Sequence, residues 1–83
     1  HSTYPRTPGN KQCFINLMTG QRISLQIDDN WTVYQLKLVL ARQFNQNALT
    51  MRIIFSGKAL PNNTFLRDHD LQLETTLHVI FGH

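Results

Sequence analysis

Between Arg22 and Leu40 the apolar residues change their period, and this change demands a fold that joins a strand to a helix. Ile23, Leu25 and Ile27 alternate with Arg22, Ser24 and Gln26, the period of two of a strand with one wet face. Asp28-Asp29-Asn30 is polar and ends the strand. Thr32-x-x-Gln35 then fits a capping box, in which the threonine hydroxyl accepts from the third helical N–H while Gln35 reaches back. Val33, Leu36 and Leu40 follow at i, i+3 and i+7 on one helical face. Asn45-Gln46-Asn47 closes the helix near Phe44.

The flanking stretches read as strands. Gln12 to Leu17 runs into a turn at Met18-Thr19-Gly20, with the glycine free to take positive φ, and Gln21 to Ile27 returns as the second arm of a hairpin. After the helix come Thr50 to Phe55, a tight Ser56-Gly57 turn, a short strand Lys58 to Leu60, one turn of helix within Leu66 to Asp70, and a last strand Thr75 to Phe81. Residues 1–10 hold two prolines and a glycine without an apolar period and read as a flexible lead-in or linker. The domain itself is expected over residues 11–81, with 82–83 as a tail.

The chain is 83 residues long, enough for one domain that buries about 60% of its unfolded surface. Cys13 is the one cysteine, so no intrachain disulfide forms and the core must carry the fold. That usage suits the cytosol or the nucleus. The inward positions are Cys13, Ile15, Ile23, Leu25, Ile27, Val33, Leu36, Leu40, Ile53, Leu60, Leu66, Leu71, Leu77 and Val79, all apolar. No segment approaches 18 consecutive apolar residues. The net charge of +3 comes from scattered cations, whereas a nucleic-acid binder more often clusters them on one face.

Several pieces of the chain resemble ubiquitin and the ubiquitin-like domains. Leu17-Met18-Thr19-Gly20 is similar to the family's hairpin turn. Leu49-Thr50-Met51-Arg52-Ile53-Ile54-Phe55-Ser56-Gly57-Lys58-Ala59-Leu60 is similar to its Gln-Arg-Leu-Ile-Phe-Ala-Gly-Lys-x-Leu stretch. Leu66-Arg67-Asp68-His69-Asp70-Leu71 and Thr75-Thr76-Leu77-His78-Val79-Ile80 resemble its later turn and last strand. The pieces fall in order from Lys11 to Phe81 without a gap. Tyr34-Gln35-Leu36-Lys37 and the Asp70-Leu71 turn resemble parkin-type domains more than ubiquitin itself. The resemblance implies an α+β fold, the β-grasp. A mixed five-strand sheet has its first and last strands parallel and adjacent, and the main helix crosses one face.

It also implies a binding patch. The family's apolar patch falls here on Met18, Ile54, His78 and Ile80, with Arg52, Gly57 and Lys58 as its border. Alternation agrees: if Ile53 and Val79 point inward, Ile54 and Ile80 face water, where two neighbouring aliphatic residues form an exposed apolar patch. Trp31, Tyr34 and Leu38 lie at i, i+3 and i+7 on the side away from Val33, Leu36 and Leu40. They read either as a second interface or as a partly tucked tryptophan beside two incidental residues.

Catalysis finds no constellation. Cys13 and His78 fall on adjacent strands but on opposite faces, and His1, His69, His78 and His83 lack metal-ligand spacing. No Gly-rich phosphate loop occurs and no cofactor is implied. The expected role is a non-catalytic, monomeric adaptor domain of a larger protein of the ubiquitin-proteasome pathway, located in the cytoplasm, the nucleus or both. Its partners would be ubiquitin-binding modules, proteasomal receptors or other domains of the parent protein, with no nucleic acid and no membrane. The chain stops at Phe81-Gly82-His83, without the Gly-Gly tail of a conjugated modifier. A truncated modifier and a structural β-grasp that docks intramolecularly are the alternatives.

Overall fold

The computed structural model of the chain describes residues 11–71 and 75–82, so the lead-in expected at 1–10 and the terminal His83 lie outside the described residues. Its elements are strands β1 (Lys11–Leu17) and β2 (Arg22–Ile27), helix α1 (Val33–Phe44), and strands β3 (Arg52–Phe55), β4 (Lys58–Ala59) and β5 (Thr76–Ile80). Short 3-10 turns occupy Ala48–Thr50 and Leu66–His69. The five strands lie in the order β2-β1-β5-β3-β4. β1 and β5 run parallel, with Ile15 opposite Leu77, and the other neighbours are antiparallel. Parallel neighbours require a long connection, and here everything from β2 to β4 supplies it.

The expected helix forms where its signals lie. Thr32 Oγ1 accepts from Gln35 N at 3.1 Å, and Gln35 Oε1 accepts from Thr32 N at 2.9 Å, so the capping box is complete. Asn45 ends the helix in the left-handed region, φ 55° and ψ 48°, with its N–H donated to the Ala41 carbonyl. The third strand starts later than its apolar run suggests. Asn47 Oδ1 accepts from Leu49 N at 2.9 Å and caps the Ala48–Thr50 turn, so extended pairing begins only at Arg52.

The helix packs Val33, Leu36 and Leu40 against Ile15, Ile27, Ile53, Leu77 and Val79, all at most 1% exposed. Each such side chain contributes roughly 1.5–3 kcal/mol by area transfer, and the ordering of the chain offsets most of the sum. Leu17, Ala48 and Met51 are also buried, though not in the expected core. Ile23 and Leu25 are only partly buried, because β2 is an edge strand.

Trp31 is a correction. It is buried at 8% exposure and precedes the helix cap, so helical spacing does not apply to it. Its N–H donates to the Asp28 carbonyl and its carbonyl accepts from Leu66 N, both at 2.9 Å. These bonds fix the indole in the core cluster, under the connection between β2 and α1. The stripe therefore loses its aromatic head, and of its three members Tyr34 and Leu38 remain partly exposed on α1.

Lys37 is buried among these apolar groups at 6% exposure. Its ammonium donates to Asn62 Oδ1, a neutral acceptor. Burial, and then the positive charge of Arg52, hold its pKa below the ordinary lysine value. A carboxylate at position 62 would give the ammonium a charged acceptor. Asn62→Asp is expected to raise stability by about 1 kcal/mol in urea unfolding at pH 7. An unchanged midpoint would contradict this account.

Cys13 is 1% exposed, and burial pushes its thiol up to about 11. Below about pH 9 both folded and unfolded chains hold the proton. Between about 9 and 11 the unfolded chain releases it while the folded chain keeps it, so stability falls with rising pH. Lys37 works in the opposite direction at alkaline pH, which makes a comparison necessary. Cys13→Ala is expected to lose stability less steeply than the parent chain across that window, and equal slopes would refute the assignment.

Candidate functional site

Pairing of β3 with β5 sets Ile54 directly opposite His78 and Arg52 opposite Ile80. Ile53 and Val79, one step along each strand, are 0% and 1% exposed and face the helix. The pleat therefore turns Ile54, His78, Arg52 and Ile80 to the outer face together. Ile54 and Ile80 are half-buried, while His78 and Arg52 are exposed. The parallel register of β1 with β5 ends at Leu17 opposite Val79, so Met18 leaves its strand next to the level of Ile80. Met18 is 65% exposed and carries a flexible thioether into solvent.

Two turns hold the ends of this face. Leu17 N donates to the Gln21 carbonyl at 2.8 Å and Gly20 N to the Leu17 carbonyl at 2.9 Å, with Gly20 at φ +94°. At the β3–β4 hairpin, Ser56 and Gly57 both take positive φ, 55° and 80°, as the tight two-residue turn requires. A Cβ on Gly57 would meet nothing within 4 Å, so the backbone there is open to an approaching molecule. Lys58 is exposed but pairs with Phe55 rather than Ile54, and it borders the patch from the turn.

Charge is sorted around this surface. The described carboxylates, Asp28, Asp29, Asp68 and Asp70, all lie on the β2–α1 connection or at the Leu66–His69 turn. Arg67 N donates to the Asp29 carbonyl at 3.0 Å and ties these two segments together. Lys11 pairs with Asp29 at 2.8 Å there. Arg52 and Lys58 have no such ion pair among the described residues.

Two outward-facing features escaped the sequence reading. Phe14 lies on the outer face of β1 under the Arg22 guanidinium, 4.5 Å from the ring centroid. Alternation from Cys13 and Ile15 carries the signal for its outward position. Leu49 is 76% exposed at the 3-10 turn before β3, and only its cap, Asn47, could have announced that turn.

Cys13 and His78 stand on opposite faces of the sheet, as alternation requires. Among the described residues no three His, Cys, Asp or Glu side chains gather as metal ligands. His69 Nε2 shares a 2.8 Å hydrogen bond with Thr64 Oγ1 in a loop. No helix among the described residues is long and apolar enough to cross a membrane.

Comparison with known proteins agrees with this architecture. The model of the Ubiquitin family matches residues 13–82. The E3 ubiquitin-protein ligase parkin of Mus musculus is 28% identical over 67 residues, covering 81% of this chain and 14% of parkin. Parkin of Drosophila melanogaster is 27% identical with the same coverage. Ubiquitin-like protein 4B of Monodelphis domestica is 32% identical over 66 residues, covering 80% of this chain and 36% of that protein. The chain thus spans about a seventh of the parkins and about a third of the ubiquitin-like protein. With the parallel β1–β5 pair, the crossing helix and a family match over nearly all described residues, the chain belongs to the ubiquitin family.

Proposed function

We propose that this chain is a non-catalytic ubiquitin-like interaction domain of a larger protein of the ubiquitin-proteasome pathway. It binds ubiquitin-binding modules or proteasomal receptors in the cytoplasm or nucleus. The carrying observation is the outward pairing of Ile54 with His78, flanked by Ile80 and the exposed Met18. Aliphatic surface in this arrangement gains when a partner removes it from water. Arg52 and Lys58 at the border favour partners with acidic rims and act mainly on the rate of encounter. The pathway assignment draws on the similarity to parkin, a ubiquitin-protein ligase by name. Cys13, the strongest nucleophile type in the chain, is buried with its thiol held protonated, which supports a role without covalent chemistry.

Titration of isotope-labelled domain with a ubiquitin-binding helix or a proteasomal receptor is expected to shift the amides of Met18, Ile54 and His78 first. Ile54→Ala is expected to weaken binding by roughly 1–3 kcal/mol, the scale of a central anchor, with the circular dichroism spectrum unchanged. Equal affinity in a folded Ile54→Ala domain would refute the patch.

A further inference from the structure

A pocket of about 220 Å³ opens at the β3–β4 hairpin, lined by Phe55, Ser56, Lys58, Leu60 and His69. It is separate from the patch. Phe55 packs against the core cluster, one pleat step from the outward Ile54, so its ring faces the other side of the sheet. Lys58 is its partner across the hairpin and shares that side. Drug-sized ligands occupy roughly 300–1,000 Å³, so this volume suits one functional group with a small body. Lys58 Nζ and Ser56 Oγ belong to exposed residues and have no hydrogen-bond or ion-pair partner among the described residues. Asp68 and Asp70 flank His69 in sequence but do not line the pocket, and Asp68 Oδ2 accepts from Phe65 N at 3.0 Å. Hydrogen bonding also fixes the tautomer of His69. Thr64 Oγ1 lies 2.8 Å from both the Pro61 carbonyl oxygen and His69 Nε2. A carbonyl has no proton to give, so the single hydroxyl proton goes to Pro61 and Nε2–H donates to Thr64. Nδ1 is then the ring nitrogen without a partner among the described residues, on a side chain that lines the pocket.

We infer that this pocket binds a small aryl phosphate, with the phosphoryl group on Lys58, Ser56 and His69 and the ring against Phe55 and Leu60. The inference does not depend on the Ile54 reading. Charge selects an anion, because the Lys58 ammonium has no carboxylate partner among the described residues. The number of polar groups selects its shape. Lys58 and Ser56 donate to two oxygens, and His69 Nδ1 takes a third. A carboxylate offers two oxygens to these three groups, whereas a phosphoryl group offers three. His69 also selects the chemistry. An anion can face Nδ1 only across a shared proton. A phosphate monoester has its second pKa near about 6, so at neutral pH either it or the imidazole supplies that proton. A sulfonate has the same tetrahedral shape but carries no proton to share. Phe55 and Leu60 select the remainder of the ligand, since an aromatic ring covers apolar wall that a bare phosphate ion leaves wet.

The probes are phenyl phosphate, inorganic phosphate and benzenesulfonate, each titrated at pH 7 and constant ionic strength into the isotope-labelled chain. Phenyl phosphate is expected to shift the amides of Ser56, Lys58 and His69 while those of Met18 and Ile80 stay in place. It is expected to bind about fivefold more tightly than benzenesulfonate, the scale of one hydrogen bond. Its advantage over inorganic phosphate is expected to be about tenfold, the scale of a partly covered ring. Lys58→Gln and Ser56→Gly are each expected to weaken it about tenfold. Both residues are exposed, and glycine accepts the φ of 55° at position 56, so neither substitution disturbs the fold. Shifts spread over the scattered arginines, or unchanged affinity in Lys58→Gln, would overturn the pocket. Benzenesulfonate binding as tightly as phenyl phosphate would overturn the phosphoryl assignment, and inorganic phosphate doing so would overturn the aryl body. Ile54→Ala is expected to leave phenyl phosphate binding unchanged. A loss there as large as in Lys58→Gln would move the ligand to the outer face and overturn the pocket.

Discussion

The parallel pairing of β1 with β5 is the constraint on which the rest of this structure depends. It seats the last strand between the first and the third, so one strand borders both halves of the sheet. Cys13, Ile15, Leu77 and Val79 then meet the helix on one side. The same pleat, read on the other side, turns Phe14, His78 and Ile80 outward. Core and binding face are therefore one decision about strand register, since a slip of a single residue would exchange them.

Much of this was legible in the residues because each period points to one element. The alternation at Ile23-x-Leu25-x-Ile27 and the Thr32–Gln35 box located β2 and α1 to within a residue. The outward turn of Ile54 and Ile80 followed from counting along two short strands. What was not legible depended on short-range side-chain chemistry or on packing between distant segments. Asn47 converts the start of an apolar run into a 3-10 turn and so exposes Leu49. Trp31 fits a helical stripe on paper, but it stands before the cap and is captured by the backbone of Asp28 and Leu66. Helical spacing says nothing about a residue that the helix does not contain.

The polar groups follow a similar division. The acidic segments, Asp28-Asp29 and Asp68 to Asp70, are bound to each other through Arg67 and to β1 through Lys11, and they close the domain at the Trp31 end. The Lys11–Asp29 ion pair thus falls where chain segments must be joined. Arg52 and Lys58, near Ile54, have no ion pair among the described residues, which leaves them for interactions outside the molecule. Lys37 belongs to neither group: it is buried with an amide acceptor, and a change as small as amide to acid at Asn62 bears on it.

The central ladder also has a consequence for how the chain is made. Ile15 finds its partner Leu77 almost a full domain length later. A ribosome releasing this chain can let the first hairpin and the helix form early, but neither has its full core until β5 is free of the exit tunnel. Until then Ile15, Leu36 and Ile53 lack the strand that covers them, and they are surfaces for chaperones. Folding is accordingly expected as one late event, slow for so small a domain, because loop closure must precede the contacts that reward it. Residues appended after β5 would help the domain fold during synthesis simply by holding the last strand outside the tunnel for longer.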